Sequence, residues 1–165
     1  MAMRQTWTSK WKTGQKVPKF KSVLHDGSEI TSEDLLGQKH ILFFYNHDGT
    51  ETCTKEACNL RDNFAALKRK GYNVIGVSED GNKKHQNFIA KYGLPYPLIT
   101  DEGNALAKLF DIYGKKEFMG RTSDAVHRTT FIIDEKGKFE CIIHPVNSAN
   151  HTEQILEELK SVKQK

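Results

Sequence analysis

Two short runs, ILFFY at positions 41–45 and NVIGV at 73–77, are almost wholly apolar, and that continuity limits the folds open to the chain. A strand with one face in water alternates apolar and polar side chains. A strand covered on both faces reads instead as an unbroken apolar stretch, the mark of a buried central sheet. Between the runs, Cys53, Ala57, Leu60, Phe64 and Leu67 recur at helical spacing, which predicts a helix from about Cys53 with one apolar stripe. Strand, helix and strand form a unit in which the two runs lie side by side.

The alternation continues downstream. A helical pattern near 83–92 leads to PLIT at 97–100, and another from about 104 carries Leu106, Leu109 and Phe110. TFIID at 130–134 and FECIIH at 139–144 flank Glu135, Lys136 and Gly137, an antiparallel hairpin that makes the sheet mixed. Upstream, FKSVLHDGSEI at 20–30 centres on Asp26-Gly27 and reads as a hairpin, with a short helix over 33–36. Asn150 with Glu153 resembles a capping box, and Ile155, Leu156, Leu159 and Val162 give the closing helix a buried face. The expected class is α/β: a central mixed sheet flanked by helices, with an N-terminal β-hairpin extension, in one domain over 17–165. Residues 1–16, with Trp7 and Trp11 among polar and basic neighbours, predict a mobile or loosely packed arm.

Bulk properties exclude several function classes. A chain of 165 residues, 37% hydrophobic, buries a core without disulfide staples or structural metal. The net charge of +4 is spread among acidic neighbours, so nucleic-acid binding is not indicated. No run approaches the ~18 apolar residues that span a bilayer, and the basic start is followed by no apolar stretch that would direct export. Three cysteines are too few for a disulfide framework and leave one thiol over. A reducing cytoplasm is the expected compartment.

The candidate chemistry lies in Cys53 and Cys58. On an α-helix five residues rise about 7.5 Å and rotate the second side chain roughly 140° from the first, leaving the Cα atoms about 9 Å apart. A disulfide tolerates about 7 Å. If the pair ever bonds, the start of its helix must unwind, which suggests a thiol switch over a permanent staple. Cys53 falls on the apolar stripe; Cys58 lies on the flank with Arg61 and Ala65. A cysteine at a helix N-terminus meets unpaired backbone N–H groups and the positive end of the macrodipole, both of which favour the thiolate. A small buried hydrophobe is the equally open reading. Cys141 alternates with Phe139 and Ile143 as a core thiol. His47 and Asp48 read as a solvated loop pair, Glu56 as a dipole-complementing carboxylate, and His144 as structural. No glycine-rich fingerprint marks a nucleotide site.

Taken together, the strand FFY, Thr50 three positions before Cys53, the segment TETCTKEAC and the later RTTFIID resemble the peroxiredoxins, specifically the bacterioferritin comigratory protein or peroxiredoxin Q branch. GVSED at 76–80 and KYGLPYPLITD at 91–101 are further matching stretches, and the resemblance runs from about Gly14 to Val162. It implies a thioredoxin-like fold and a thiol-dependent peroxidase acting on hydrogen peroxide and organic hydroperoxides. On that resemblance Cys53 is the peroxide-reacting cysteine, Cys58 its resolving partner in an intramolecular disulfide, and Thr50 and Arg128 position the peroxide. No cofactor or metal is implied. The implied partners are the peroxide and thioredoxin or a similar dithiol reductant, and a monomer is favoured over a dimer.

The chain departs from the family pattern at Asn46, which stands where the signature proline belongs, and at Glu51-Thr52, which replace Pro-Gly. Proline rigidifies a loop without offering a donor, so asparagine predicts a competent but less organised pocket wall. Other readings compete. A thioredoxin-like disulfide oxidoreductase places two residues between its cysteines, not four. A zinc module using Cys53, Cys58 and His47 lacks paired ligand knuckles. A peroxide-sensing thiol switch would use the same pair without turnover.

Overall fold

The computed structural model describes residues 7–118 and 120–163. Its strands are β1 (Lys21–Leu24), β2 (Glu29–Thr31), β3 (Lys39–Phe44), β4 (Tyr72–Ser78), β5 (Leu98–Thr100), β6 (Tyr113–Phe118), β7 (Arg121–Val126), β8 (Thr129–Ile133) and β9 (Phe139–Ile143). Its α-helices are α1 (Glu51–Asp62), α2 (Phe64–Arg69), α3 (Asn82–Tyr92), α4 (Ala105–Leu109) and α5 (His151–Lys163). Seven strands form one sheet in the order β2-β1-β5-β4-β3-β8-β9, while β6 and β7 pair separately. The two apolar runs are the adjacent parallel strands β3 and β4, with Ile41 opposite Val74 and Phe43 opposite Gly76. β8 lies antiparallel on the other side of β3, Leu42 facing Phe131. The mixed, helix-flanked sheet expected from the sequence is the one observed.

Period two explains why β3 carries no polar residue beyond its first turn of chain. Ile41, Phe43 and Tyr45 enter one core with Cys53, Ala57 and Leu60 of α1, Phe88 of α3, and Ile155 and Leu159 of α5. Leu42 and Phe44 enter a second core with Val17, Phe20, Leu106, Phe110 and Phe131. Successive side chains point to opposite faces, and each face meets its own apolar layer.

Several local expectations change. The first helix begins at Glu51, two residues before Cys53, so the thiol sits within the first turn and not at its edge. Its stripe is broken at Asn63 (φ −108°, ψ 9°), whose side-chain amide donates to Asn59 O at 2.8 Å. The short helix near 33–36 is a 3-10 turn over Ser32–Leu35. The capping of α5 comes from elsewhere in the chain: Thr152 N donates to Asn59 Oδ1 of α1 at 2.8 Å, and Asn150 N to Asn147 Oδ1 at 3.3 Å.

The stretch read as a loose arm is anchored from Trp7 onward, and residues 1–6 lie outside the described residues. Trp7 Nε1 donates to Asp111 O at 2.7 Å and its ring stacks on His127 with centroids 5.0 Å apart. Ser9 Oγ donates to Phe110 O and Trp11 Nε1 to Leu109 O, at 2.7 and 3.0 Å. Each indole N–H of these half-buried tryptophans has found a carbonyl. No helix among the described residues is long and apolar enough to cross a membrane.

Gly76 is where β4 meets β3 and β5 most closely. A Cβ there would stand 2.6 Å from Leu98 Cδ2 and 2.9 Å from Phe43 Cζ. Gly76→Ala is expected to lower stability by about 1–3 kcal/mol through overpacking, measured by chemical denaturation; an unchanged midpoint would show that Leu98 and Phe43 yield freely.

Candidate active site

The loop from β3 to α1, residues 45–50, is held by a buried polar cluster. Tyr45 Oη donates to Asp48 Oδ1 at 2.5 Å, and Asp48 N donates to Asp80 Oδ2 at 2.7 Å. His85 of α3 bridges Asp48 Oδ2 at 2.6 Å and Ile99 O of β5 at 3.0 Å. Asp48 is therefore buried and not part of a solvated pair; His47 stays exposed and faces Asp80 at 3.4 Å. Ligand atoms of Asp48, Asp80 and His85 lie within 4.8 Å of one another, a spacing that fits a cation. The protein already engages these groups, Asp80 with Ser78 and Lys84 at 2.8 and 2.9 Å, so the cluster serves as a latch on the loop.

Thr50 is the N-cap residue of α1, exposed, its hydroxyl donating to His47 O at 3.2 Å and making no side-chain cap to the helix. Thr54 N makes the first intrahelical bond, to Thr50 O at 2.9 Å. The N–H groups of Glu51, Thr52 and Cys53 thus lie at the orphan end of the helix. Cys53 is 2% exposed in the core beneath them, while Cys58 is half-buried on the flank. All three cysteines are free thiols. Cys141 is buried in β9, where burial pushes its thiol up to about 11.

One turn beyond Cys53, Glu56 is fully buried and accepts a 2.7 Å bond from Arg128 Nη2. Residues i and i+3 are neighbours on a helix, so this pair brings the guanidinium to the side of α1 that carries Cys53. Arg128 lies at the head of β8, and its carbonyl is held by His144 Nδ1 at 2.9 Å. Burial pushes the Glu56 carboxyl up to about 7, with Arg128 pulling the other way. Lys116 of β6 feels the charges of the site: burial and the Arg128 charge lower its ammonium below the usual lysine range, while Cys53 acts in the opposite direction. Among the described residues, Arg128 Nε is a buried donor with no partner. Asn46 is half-buried, and its amide donates to Val126 O at 3.0 Å. This bond ties the exit of β3 to β7.

Comparison with known proteins places this geometry. The AhpC/TSA family matches residues 13–141. Peroxiredoxin Bcp of Escherichia coli K12 is 38% identical over 149 residues, covering 90% of this chain and 96% of its own. The putative peroxiredoxin bcp of Coxiella burnetii is 37% identical over 143 residues, covering 87% and 95%. The chain belongs to the AhpC/TSA family of peroxiredoxins. Among solved structures, peroxiredoxin Q of Xanthomonas campestris superposes with a TM-score of 0.82 at 27% identity, covering 93% of this chain and 97% of its own. The bacterioferritin comigratory protein of the same organism, studied for its alkyl peroxide reduction activity, matches equally at 0.82 and 27%, covering 93% and 98%. This peroxiredoxin therefore falls in the Bcp and peroxiredoxin Q branch, has the thioredoxin-like fold of its structural neighbours, and is a thiol peroxidase.

The structure brings Cys53, Thr50 and Asn46 to one strand exit and Arg128 across from them, with Cys58 one turn and more away on α1. Sequence reasoning passed over Lys116 and the buried setting of Glu56. Glu56 was visible only as a first-turn carboxylate. Its position i+3 from Cys53, on the buried side, was the available signal. Lys116 lies in a hairpin, YGKKEF and RTSDAV, whose mostly exposed strands offer no apolar alternation to detect.

The Asn46 bond opposes the expected loosening, since its side chain supplies a tether where the family has a rigid ring. Asn46→Ala removes that tether and is expected to lower stability by about 1 kcal/mol and to slow peroxide reduction, measured by denaturation and stopped-flow; unchanged values for both would show that the Val126 contact holds nothing in place.

Proposed function

We propose that Cys53 is the peroxide-reacting thiol of a hydroperoxide reductase that closes an intramolecular disulfide with Cys58. The observation that supports it most is a buried cysteine in the first turn of α1, under unpaired helix N–H groups, with a guanidinium held alongside by Glu56. The Cys53 thiolate attacks one peroxide oxygen and breaks the O–O bond. Sulfur is oxidised to the sulfenic acid, and the departing oxygen takes a proton and leaves as water or an alcohol. Charge grows on that oxygen as the bond breaks. The helix-end N–H groups and the free Nε–H of Arg128 are donors available to receive it, and the Thr50 hydroxyl would join them on turning away from His47 O.

In the second half-cycle the Cys58 thiolate attacks the sulfenic sulfur, forming the S–S bond and releasing the sulfenic oxygen as water. Both residues lie on one continuous helix, Glu51–Asp62, whose geometry keeps Cα atoms five residues apart at about 9 Å, so the first turn must open. Two thiols of an external dithiol protein such as thioredoxin then reduce the disulfide, taking its place in the oxidised state. The activity on alkyl peroxides studied for the Xanthomonas protein supports organic hydroperoxides beside hydrogen peroxide as substrates. The reducing cytoplasm suits such a cycle.

Cys53→Ser is expected to abolish peroxide consumption in a coupled thioredoxin assay, and Cys58→Ser to retain a single stoichiometric oxidation without turnover. Peptide mapping of peroxide-treated protein should give a Cys53–Cys58 disulfide. Absence of that disulfide sinks the resolving role of Cys58; a wild-type protein oxidised once and never turning over would make it a sensor.

A further inference from the structure

Behind the Glu56–Arg128 pair, the first turn of α5 places a fully buried histidine against the same carboxylate. His151 Nε2 lies 3.3 Å from Glu56 Oε2 and 2.7 Å from Thr130 Oγ1. Its other nitrogen, Nδ1, lies 3.0 Å from Gln154 Oε1. The Gln154 amide is oriented by two backbone partners, Oε1 accepting from Asn147 N at 2.8 Å and Nε2 donating to Pro145 O at 2.9 Å. Gln154 therefore presents an acceptor to His151, and Nδ1 must carry a proton.

That fixes the tautomer and creates a problem at the other side of the ring. In a neutral imidazole with Nδ1 protonated, Nε2 is a lone pair. It would then face Glu56 Oε2, which among the described residues has no hydrogen-bond partner. An ionised carboxylate oxygen opposite a nitrogen lone pair in a fully buried site is repulsive. One proton between them removes the conflict. The Thr130 hydroxyl adapts to either arrangement, donating to a bare Nε2 or accepting from a protonated one.

We propose that Glu56 and His151 hold one proton in common, and that His151 is a positioning residue that keeps Glu56 from cancelling the charge of Arg128 at Cys53. The proposal rests on Cys53 being the reacting thiol. With the shared proton present, Glu56, His151 and Arg128 together carry one positive charge; once it leaves, they carry none. Burial supports the assignment of the proton to the carboxyl side, since it pushes Glu56 up to about 7 and His151 down to about 4. The ionisable groups facing this pair are Arg128 at the head of β8, Cys53 on α1, Lys116 of β6 beyond the guanidinium, Tyr96 after α3, and His144 on the Arg128 carbonyl.

Glu56, raised from 4.5 to about 7, contributes stability that is complete below pH 4.5 and is lost as pH rises through 7. His151, lowered from 6.5 to about 4, contributes stability present above pH 6.5 and lost as pH falls through 4. The two largely offset between those limits, so the shared proton shows in the reactivity of Cys53 and not in the unfolding curve.

The test is His151→Gln, whose amide can donate to Glu56 Oε2 but cannot take up its proton. The donated N–H favours the ionised carboxyl, and alkylation of Cys53, followed by mass mapping across pH 5–9, should slow at pH 7 by up to about tenfold, the equivalent of one pH unit. Peroxide oxidation should slow in parallel. A folded His151→Gln protein with a Cys53 profile superimposable on the wild type overturns the proposal. If the variant does not fold, carbon-13 and nitrogen-15 titration of Glu56 and His151 in the wild-type protein decides. A protonated carboxyl or an imidazolium at pH 6, titrating as one unit, is the expected result; an ionised Glu56 beside a neutral His151 at that pH overturns it. Alkylation reads Cys53 directly, so peroxide consumption surviving in Cys53→Ser would sink the catalytic assignment and leave this test intact.

Discussion

A carboxylate with no exposure, Glu56, ties together the three elements that make the site. Removing such a group from water is unfavourable by several kcal/mol unless a partner and further hydrogen bonds compensate. Arg128 supplies the partner from β8 at 2.7 Å, and His151 of α5 closes the other side at 3.3 Å. The strand fixes where the guanidinium sits, because the residues that follow it, Thr129 and Thr130, are paired in register with Phe44 and Phe43 of β3. The same strand β3 leads directly into the loop that starts α1. The nucleophile candidate and the charge that serves it are therefore set by the two adjacent strands β3 and β8, with Glu56 measuring the gap between them.

Helix α1 is unevenly fastened, and this bears on which end opens if Cys53 and Cys58 bond. Around Cys58 the helix is pinned on several sides. Tyr96 Oη donates to Ala57 O at 2.7 Å, Asn59 is bound to Thr152 and Ala149 of the α5 region, and Arg61 Nη1 donates to Tyr92 O at 2.8 Å. The first turn has no comparable fastening. Thr50, Glu51 and Thr52 are exposed, and the N-cap hydroxyl leaves the helix uncapped. Losing the first turn gives up few hydrogen bonds and one buried side chain, Cys53 itself. The proposed disulfide is thus reached by Cys53 leaving the core toward a stationary Cys58.

The sheet was legible because its signal is coarse. Unbroken apolar runs marked β3 and β4, the Asp26-Gly27 turn marked the β1–β2 hairpin and Glu135-Lys136-Gly137 the β8–β9 hairpin; all lie where their spacing puts them. The placing of both cysteines on one helix, with Arg128 beside it, was foreshadowed by motif spacing along the chain. What stayed hidden was long-range polar pairing. The contact of Glu56 with His151 joins two helices across 95 positions of sequence (56 to 151), and the role of Asp48 depends on His85 of α3. Nothing local distinguishes a buried carboxylate from a solvated one when its partners lie far away in sequence. The β6–β7 hairpin was missed for the converse reason, its strands being too exposed and charged to show a period.

Asp48 and Glu56 together define how far an opening of α1 can spread. Upstream, the Asp48 latch to Tyr45, Asp80 and His85 holds the loop; downstream, the Glu56 latch holds the second turn. Between them lie residues 49–55, with Gly49 at φ +87° just past the first latch. Glu56 lies three positions after Cys53, and an extended chain covers about 3.3 Å per residue, so unwinding from Cys53 to Glu56 gives the thiol a reach of roughly 10 Å. The gap to close is from about 9 Å to within about 7 Å between Cα atoms. The segment bracketed by the two latches is long enough for the disulfide without disturbing either one, so Arg128 can stay in place through the cycle and find the thiol again when the first turn refolds.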